Sequence, residues 1–329
     1  MCDSKRGMEQ KATTGPRVRL LGYGACALAS CLWGMGFYVG RLALNEMSVE
    51  YMVVCRFLFA SLAMLPVVLM NWGRFRLTGS EIRMLLISAA FGIPIQFLLQ
   101  FNGLARTTVS HASLMVGSMP VLLAAAAALF AGERLDRIGW LALCGSTVGA
   151  ALIVLGGDRG PAARGEPSLV GDLLVVASLI VALAWVLLSM KLMKTHSPPV
   201  VTAGTILAGT AMLAVMVLGP WLLSPLTGQK VQPLPFAHFS HTAWIALAWG
   251  GLLCTGTTTL LWNWGIHHVP ASRAGVFLNI EPALGSLLGV QLLGEHLGPY
   301  AWAGGALILA AAITLTTRGH EPEPDVILE

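Results

Sequence analysis

The sequence predicts an all-α polytopic membrane protein: ten transmembrane helices arranged as two inverted five-helix repeats. Three observations carry that expectation. The 329 residues are 56% hydrophobic and only 11% charged, with a mean hydropathy of +0.74. A soluble domain is roughly 25% charged, and this chain has too few ionic groups to hydrate a surface of its size. The apolar residues also gather into ten segments, each near the ~20 residues that cross a ~30 Å hydrocarbon core. Finally, the end of the first half recurs in the second at a shift of 162 residues, and five spans per half make the copies enter the membrane from opposite sides.

Each apolar segment is read as a helix, because hydrocarbon offers no partner to an open backbone edge. The segments run over about 20–44, 51–71, 84–105, 109–131 and 138–156, then 171–190, 200–223, 243–266, 272–294 and 300–317. The chain divides accordingly into a basic tail (1–19), a first repeat (20–156), a polar linker rich in Gly and Pro (157–170), a second repeat (171–317) and an acidic tail (318–329). The run from 20 to 44 is too long for a signal-peptide core and is read as a retained first span.

Orientation follows from the basic residues. With the N-terminus inside, fourteen of the twenty Lys and Arg fall in cytoplasmic segments and four in outer loops, while Arg41 and Arg56 lie within spans. The positive-inside rule then puts both termini in the cytoplasm and the chain in the plasma (inner) membrane.

Composition excludes several classes. No polar stretch remains for a nucleotide-binding or catalytic domain, and no phosphate-binding loop supports direct ATP drive. The net charge of +4 is too small to imply nucleic acid. Neither G-x-S-x-G nor H-E-x-x-H spacing occurs, so no enzyme activity is expected. His267 and His268 diverge by ~100° on a helix and lack a carboxylate or cysteine cluster, so neither a metal nor another cofactor is expected. Five of the six cysteines lie in apolar segments with no C-x-x-C pair, which reads as buried free thiols.

The repeat is specific at its ends. At the 162-residue shift Ala112 meets Ala274, Pro120 meets Pro282, Gly132-Glu133 meets Gly294-Glu295, Leu135 meets Leu297 and Trp140 meets Trp302. Trp33 and Trp185 hold comparable places in the first span of each half. On Leu32-Trp33-Gly34, Arg56-Phe57, the stretch from Pro120 to Leu135 and Leu278-Asn279-Ile280-Glu281-Pro282 through Gly294-Glu295, the chain resembles the drug/metabolite transporter (DMT) superfamily. Within it the closest likeness is to EamA-type transporters, over about residues 20–317. The resemblance implies a secondary transporter that exports a small metabolite (an amino acid or derivative, or a drug-like compound) by alternating access. A flippase or a sugar/nucleotide-conjugate carrier of the same fold is the rival reading.

The expected partners are a small-molecule substrate, protons and the lipid bilayer. Gly36-x3-Gly40, Gly145-x3-Gly149 and Gly285-x3-Gly289 let helix backbones approach, chiefly within the chain, with a homodimer as a further use.

Candidate site residues are the polar groups that hydrocarbon would penalise. Glu281 lies about nine residues, or ~14 Å, into its span, where a carboxylate is a candidate for proton coupling or amine binding. Arg56, about five residues into span 2, either snorkels outward or points inward toward a substrate carboxylate. Trp33, Tyr38, Gln96, Gln100, Trp185, Asn263 and Asn279 are further candidates for lining a cavity. Pro120 and Pro282 are expected to break their helices. Glu133 and Glu295 are read as structural loop acids that cap the next helix or pair across the loop. Arg41 is read as an interfacial anchor, and Asp172 as an N-terminal cap.

Overall fold

A computed structural model describes residues 16–74, 77–130, 137–156, 168–227, 238–269 and 275–317. Every regular element among the described residues is helical. The elements are α1 (Pro16–Leu44), α2 (Val49–Met70), α3 (Gly79–Leu104), α4a (Val109–Val116), α4b (Met119–Phe130) and α5 (Arg137–Gly156). They continue as α6 (Leu169–Leu192), α7 (Pro198–Thr227), α8a (His241–Ala248), α8b (Trp249–Thr257), α8c (Thr258–His268), α9 (Ile280–Leu293, entered through a 3₁₀ turn at Gly275–Asn279) and α10 (Pro299–Thr317). Six helical stretches are long and apolar enough to cross a membrane, and shorter apolar helices cover Val109–Leu122, Arg137–Ile153, Phe277–Leu293 and Pro299–Thr314.

Some boundaries move from the sequence expectation. The third span begins at Gly79 rather than 84, because Thr78 and Glu81 form a capping box that starts the helix early. The sixth begins at Leu169, where the Ser168 hydroxyl accepts the Gly171 N–H. Asp172 is therefore not the cap; it is fully buried and bonded elsewhere.

Four helices are irregular, each for a local reason. In α3 the run Phe91–Ile95 widens to a π-turn around Pro94, whose missing N–H breaks the regular ladder. In α8b the π-turns carry hydroxyls that reach back five residues, Thr255 to the Gly250 carbonyl (2.9 Å) and Thr258 to the Leu253 carbonyl (2.6 Å). Between α4a and α4b the chain turns at Gly117-Ser118, one residue before Met119-Pro120. The 3₁₀ turn before α9 ends at Asn279, just before Ile280-Glu281-Pro282. Both proline breaks expected from the sequence are present, and they fall at equivalent places in the two halves.

Packing exchanges partners between the halves. α1 packs on α8c and α9, while α6 packs on α3 and α4a; α2 seats against α8b, and α7 against the π-turn of α3; α4a meets α9, and α5 meets α10. Lipid is as apolar as leucine, so close backbone approach rather than the hydrophobic effect must hold such helices together. At the α5–α10 seam Gly149 lies against the Gly304 backbone and Ile308, and at the α4a–α9 seam Gly285 lies against Ser113. A methyl group at Gly145 would meet nothing within 4 Å, so this member of the small-residue pairs does no packing inside the chain. Outward-facing Leu65, Leu69, Leu141, Val215 and Trp302 leave an apolar belt for lipid.

One loop contact is open to a pH test. Glu46, between α1 and α2, accepts the Ser240 hydroxyl (2.6 Å) and the Ser240 N–H (2.7 Å) at the start of α8a. The Ser240 hydroxyl first, and its N–H second, hold the Glu46 carboxyl below its ordinary value. A carboxylate so depressed contributes stability above its unfolded value and loses it as pH falls through the folded one, below about pH 4. Glu46→Gln is expected to flatten the acid limb of thermal stability between pH 3 and 6 in detergent. Superimposable acid limbs for the two proteins would refute the contact.

Candidate functional site

The deepest cation is held on the inside of the helix cluster. Arg56, on the second turn of α2, is 6% exposed and points inward, so outward snorkelling does not occur. Its Nε donates to the Thr255 hydroxyl on α8b (3.0 Å), and its Nη1 donates to the Gly36 carbonyl on α1 (3.2 Å). Because the Thr255 hydrogen is committed to the Gly250 carbonyl, this hydroxyl presents a lone pair to the guanidinium. The widened turn of α8b thus creates the acceptor that Arg56 uses.

Aromatic faces complete the cage. The guanidinium carbon lies 5.2 Å from the centroid of Phe101 and 6.0 Å from that of Phe97, both on α3. Phe97 in turn meets Phe57 edge-on at 4.6 Å. Gly36 and Gly40 on α1 make this possible: a methyl at Gly40 would fall 2.5 Å from Phe101 Cε1, and one at Gly36 would fall 3.2 Å from Arg56 Nη2. No carboxylate lies within 4 Å of Arg56 among the described residues. Ring quadrupoles and neutral oxygens offset part of the cost of burial, but the positive charge itself is not cancelled.

Glu281 occupies a different flank. It sits half-buried in the first turn of α9, and its backbone packs on Gly34 of α1, where a methyl would come 2.8 Å from the Glu281 carbonyl oxygen. Gly34 and Gly36 are two residues apart and so point about 200° apart around α1. Arg56 and Glu281 therefore touch opposite sides of that helix, and the structure does not bring them into an ion pair. The Gly117 turn of α4 abuts Pro282, so the two helix breaks meet each other there.

The other candidates distribute around these two. Trp33 leans on Trp262 of α8c at 5.5 Å, and Tyr38 packs into the main apolar core. Asn263 donates to the Thr202 hydroxyl on α7 (3.1 Å). Trp185 presses on the π-turn of α3, where only glycine fits: a methyl at Gly92 would meet its Cδ1 at 2.5 Å. Two polar atoms on facing helices, Gln96 Oε1 on α3 and Trp185 Nε1 on α6, are buried without a partner. Unsatisfied buried groups are costly, which makes both candidates for ligand contact. Gln100 is half-buried and Asn279, closing the 3₁₀ turn, is buried.

Two charged residues depart from their expected roles. Arg41 is not an interfacial anchor: it is 7% exposed, and its guanidinium donates to the Thr107 carbonyl in the α3–α4a turn. Glu295 does cap a helix, but not the next one. It reaches across to the start of α4a, accepting the N–H groups of Val109 (2.7 Å) and Ser110 (2.8 Å) and the Ser110 hydroxyl (2.7 Å). Gly294, left-handed at φ 67°, turns the chain so that Glu295 can do this. Glu133, the equivalent acid of the first half, lies outside the described residues. Sequence reasoning missed Thr107, His111 and Thr255, since nothing local marks a hydroxyl or imidazole whose partner lies on another helix.

Away from these groups, an open groove of about 470 Å³ runs along α3, α6 and α7, lined by Pro94, Leu98, Asn102, Arg106, Leu174 and Met216. It faces the apolar belt rather than Arg56. No group of three or more metal-binding side chains occurs among the described residues.

Comparison with known proteins places this arrangement. The model of the EamA-like transporter family matches twice, over residues 20–155 and 169–317. An uncharacterized transporter of Archaeoglobus fulgidus is 22% identical over 296 residues, covering 90% of this chain and 97% of that one. A probable terminal-alkyne amino-acid exporter of Streptantibioticus cattleyicolor is 25% identical, covering 89% and 93%. The uncharacterized inner membrane transporter YedA of Escherichia coli is 24% identical, covering 89% and 90%. A solved crystal structure shares the fold with a TM-score of 0.58 at 20% identity, covering 91% of this chain and 96% of that one.

Proposed function

The chain belongs to the EamA-like transporter family and is a multi-pass membrane protein, and from that premise we propose that it exports a small metabolite by alternating access between two inverted five-helix repeats. It sits in the plasma (inner) membrane with both termini cytoplasmic, and its substrate is an amino acid, an amino-acid derivative or a drug-like compound. The observation that carries this reading is the pair of helix breaks at Gly117-Ser118 and Asn279, which meet where the halves cross. Transporters of this kind place substrates near the midplane, at discontinuous helices between repeats. The exchange of partners, with α8 held by α1 and α2 and α3 held by α6 and α7, supports two bodies that rock against each other. The name of the Streptantibioticus relative supports amino acids as the first class to try.

Within this reading Arg56 binds an anionic group of the substrate, and Glu281 carries a proton or meets an amine. Gln96, Trp185 and Trp33 line the path. The test is counterflow in proteoliposomes across a panel of amino acids, derivatives and drugs, with and without a pH gradient. If no solute moves under any gradient, the transporter reading fails for this chain. Glu281→Gln is expected to abolish the response of transport to the pH gradient while leaving counterflow measurable. Wild-type gradient dependence in that variant would remove Glu281 as the proton carrier.

The groove along α3, α6 and α7 favours one rival, a carrier of lipid-linked conjugates with a lateral opening. Lipid translocation in vesicles without amino-acid efflux would select it.

A further inference from the structure

At the end of the bundle that carries Arg41, four charged or titratable side chains from both halves converge in a buried cluster. Asp172 on α6 is fully buried. Its Oδ1 accepts the Thr107 hydroxyl, and its Oδ2 lies 3.4 Å from His111 Nδ1 on α4a. His111 is 2% exposed, and its N–H donates to the Thr108 hydroxyl that caps α4a. Arg41 of α1 holds the Thr107 carbonyl, within Coulombic reach of Glu295, and Glu295 grips the first two amides of α4a. The N-cap hydroxyl of α6, on Ser168, adds a bond to the Arg106 carbonyl (2.5 Å). Of these links, all but the Arg41–Thr107 and Thr108–His111 bonds cross from one half of the chain to the other.

The charges do not balance unless a proton is present. Arg41 contributes one positive charge, and Asp172 and Glu295 contribute two negative ones. A neutral imidazole leaves one excess negative charge away from water, which is costly; an imidazolium cancels it. Imidazole is also the side chain that ordinarily titrates between pH 5 and 8. Other ionisable groups nearby do not compensate, because Arg106, His296 and Tyr300 are exposed and none is bonded to the pair. At the opposite end the equivalent places are apolar: the 162-residue shift takes Thr107 to Val269, which packs against Cys26 in a small apolar cluster. One end is held by ions and the other by hydrocarbon.

We propose that the His111–Asp172 pair is a proton-binding site that locks this end: the pair holds one proton while the two halves are closed over it and releases it when they part and water reaches the carboxylates. The proton belongs to the coupled pair rather than to either residue alone. The lock rests on the rocking motion proposed above and adds a proton site distinct from Glu281.

Hydrogen exchange of the full chain in nanodiscs, read by mass spectrometry on the peptide covering residues 105–116, tests it. This peptide contains the Val109 and Ser110 amides that Glu295 holds. After correction for chemical exchange rates, wild-type protection is expected to be about threefold or more greater at pH 6 than at pH 8; one proton allows at most about tenfold per pH unit. His111→Gln is expected to bring that ratio to one, and so is Asp172→Asn, which keeps an acceptor for Thr107 and serves if the first variant does not fold. A wild-type ratio of one, or a wild-type ratio retained in either folded variant, overturns the proposal. A chain that moves no solute yet keeps the pH ratio refutes the transport reading and leaves the proton site standing.

Discussion

Arg56→Met is expected to abolish transport while leaving the protein as stable as the wild type or more so. The two effects separate because the guanidinium is buried without a carboxylate, held only by the Thr255 hydroxyl, the Gly36 carbonyl and two phenyl faces. Removing such a charge relieves its desolvation, and methionine fills much of the same volume between Phe97 and Phe101. An anionic substrate would lose its charge-assisted hydrogen bond, worth about 2 kcal/mol, so uptake in counterflow should fall by roughly thirtyfold or more. Arg56→Lys is expected to rescue little, since a point charge cannot reach Thr255 and Gly36 together as the planar fork does. Counterflow and thermal unfolding of the same preparations decide the matter. Full transport by the methionine variant, or a loss of stability that parallels the loss of transport, would give Arg56 a structural role only.

Gly251→Val should be the most destabilising single change along the α2–α8b seam. A β-carbon at Gly251 would overlap the Arg56 carbonyl oxygen and the Phe59 Cβ, both of them fixed atoms that no rotamer change can move aside. The helices must separate, which breaks the Nε–Thr255 bond and opens the cage around Arg56. Overpacking of this kind typically costs about 1–3 kcal/mol, and the two methyls of valine place this case at or above the upper end. Gly145→Ala is the matched control, because a methyl there meets nothing and removing a helix glycine is worth about 0.5–1 kcal/mol in its favour. Size-exclusion profiles and melting temperatures in detergent compare the two. Equal behaviour of both variants would mean that α2 and α8 do not meet as described.

Legibility in the sequence varied with the range of the interaction. Hydropathy exposed the apolar segments because each must satisfy hydrocarbon along its own length. Pro120 and Pro282 announced their breaks because a missing N–H acts on the same helix one turn back. The early start of α3 was also local, since Thr78 and Glu81 are three residues apart, but the apolar run alone overlooked it. Arg56 and Glu281 stood out as charges in apolar runs, yet their surroundings did not. The sequence assigned Arg41 to the membrane interface and Asp172 to a helix cap, and both instead lie in one buried cluster. Their partners, Thr107 and His111, are more than sixty residues away from at least one of them, and only the exchange of helices between the halves brings them together.

By itself the sequence determined the class, the two-part organisation and the residues whose burial must be compensated, because transfer from water to hydrocarbon is a property of each segment alone. Only the tertiary structure decided which compensation each charge receives. Arg56 faces a hydroxyl and two rings, Arg41 a backbone carbonyl, Asp172 a threonine and an imidazole, and Glu295 the open end of a helix in the other half. Direction and distance between helices set those pairings, and neither is written in the hydropathy of a single span.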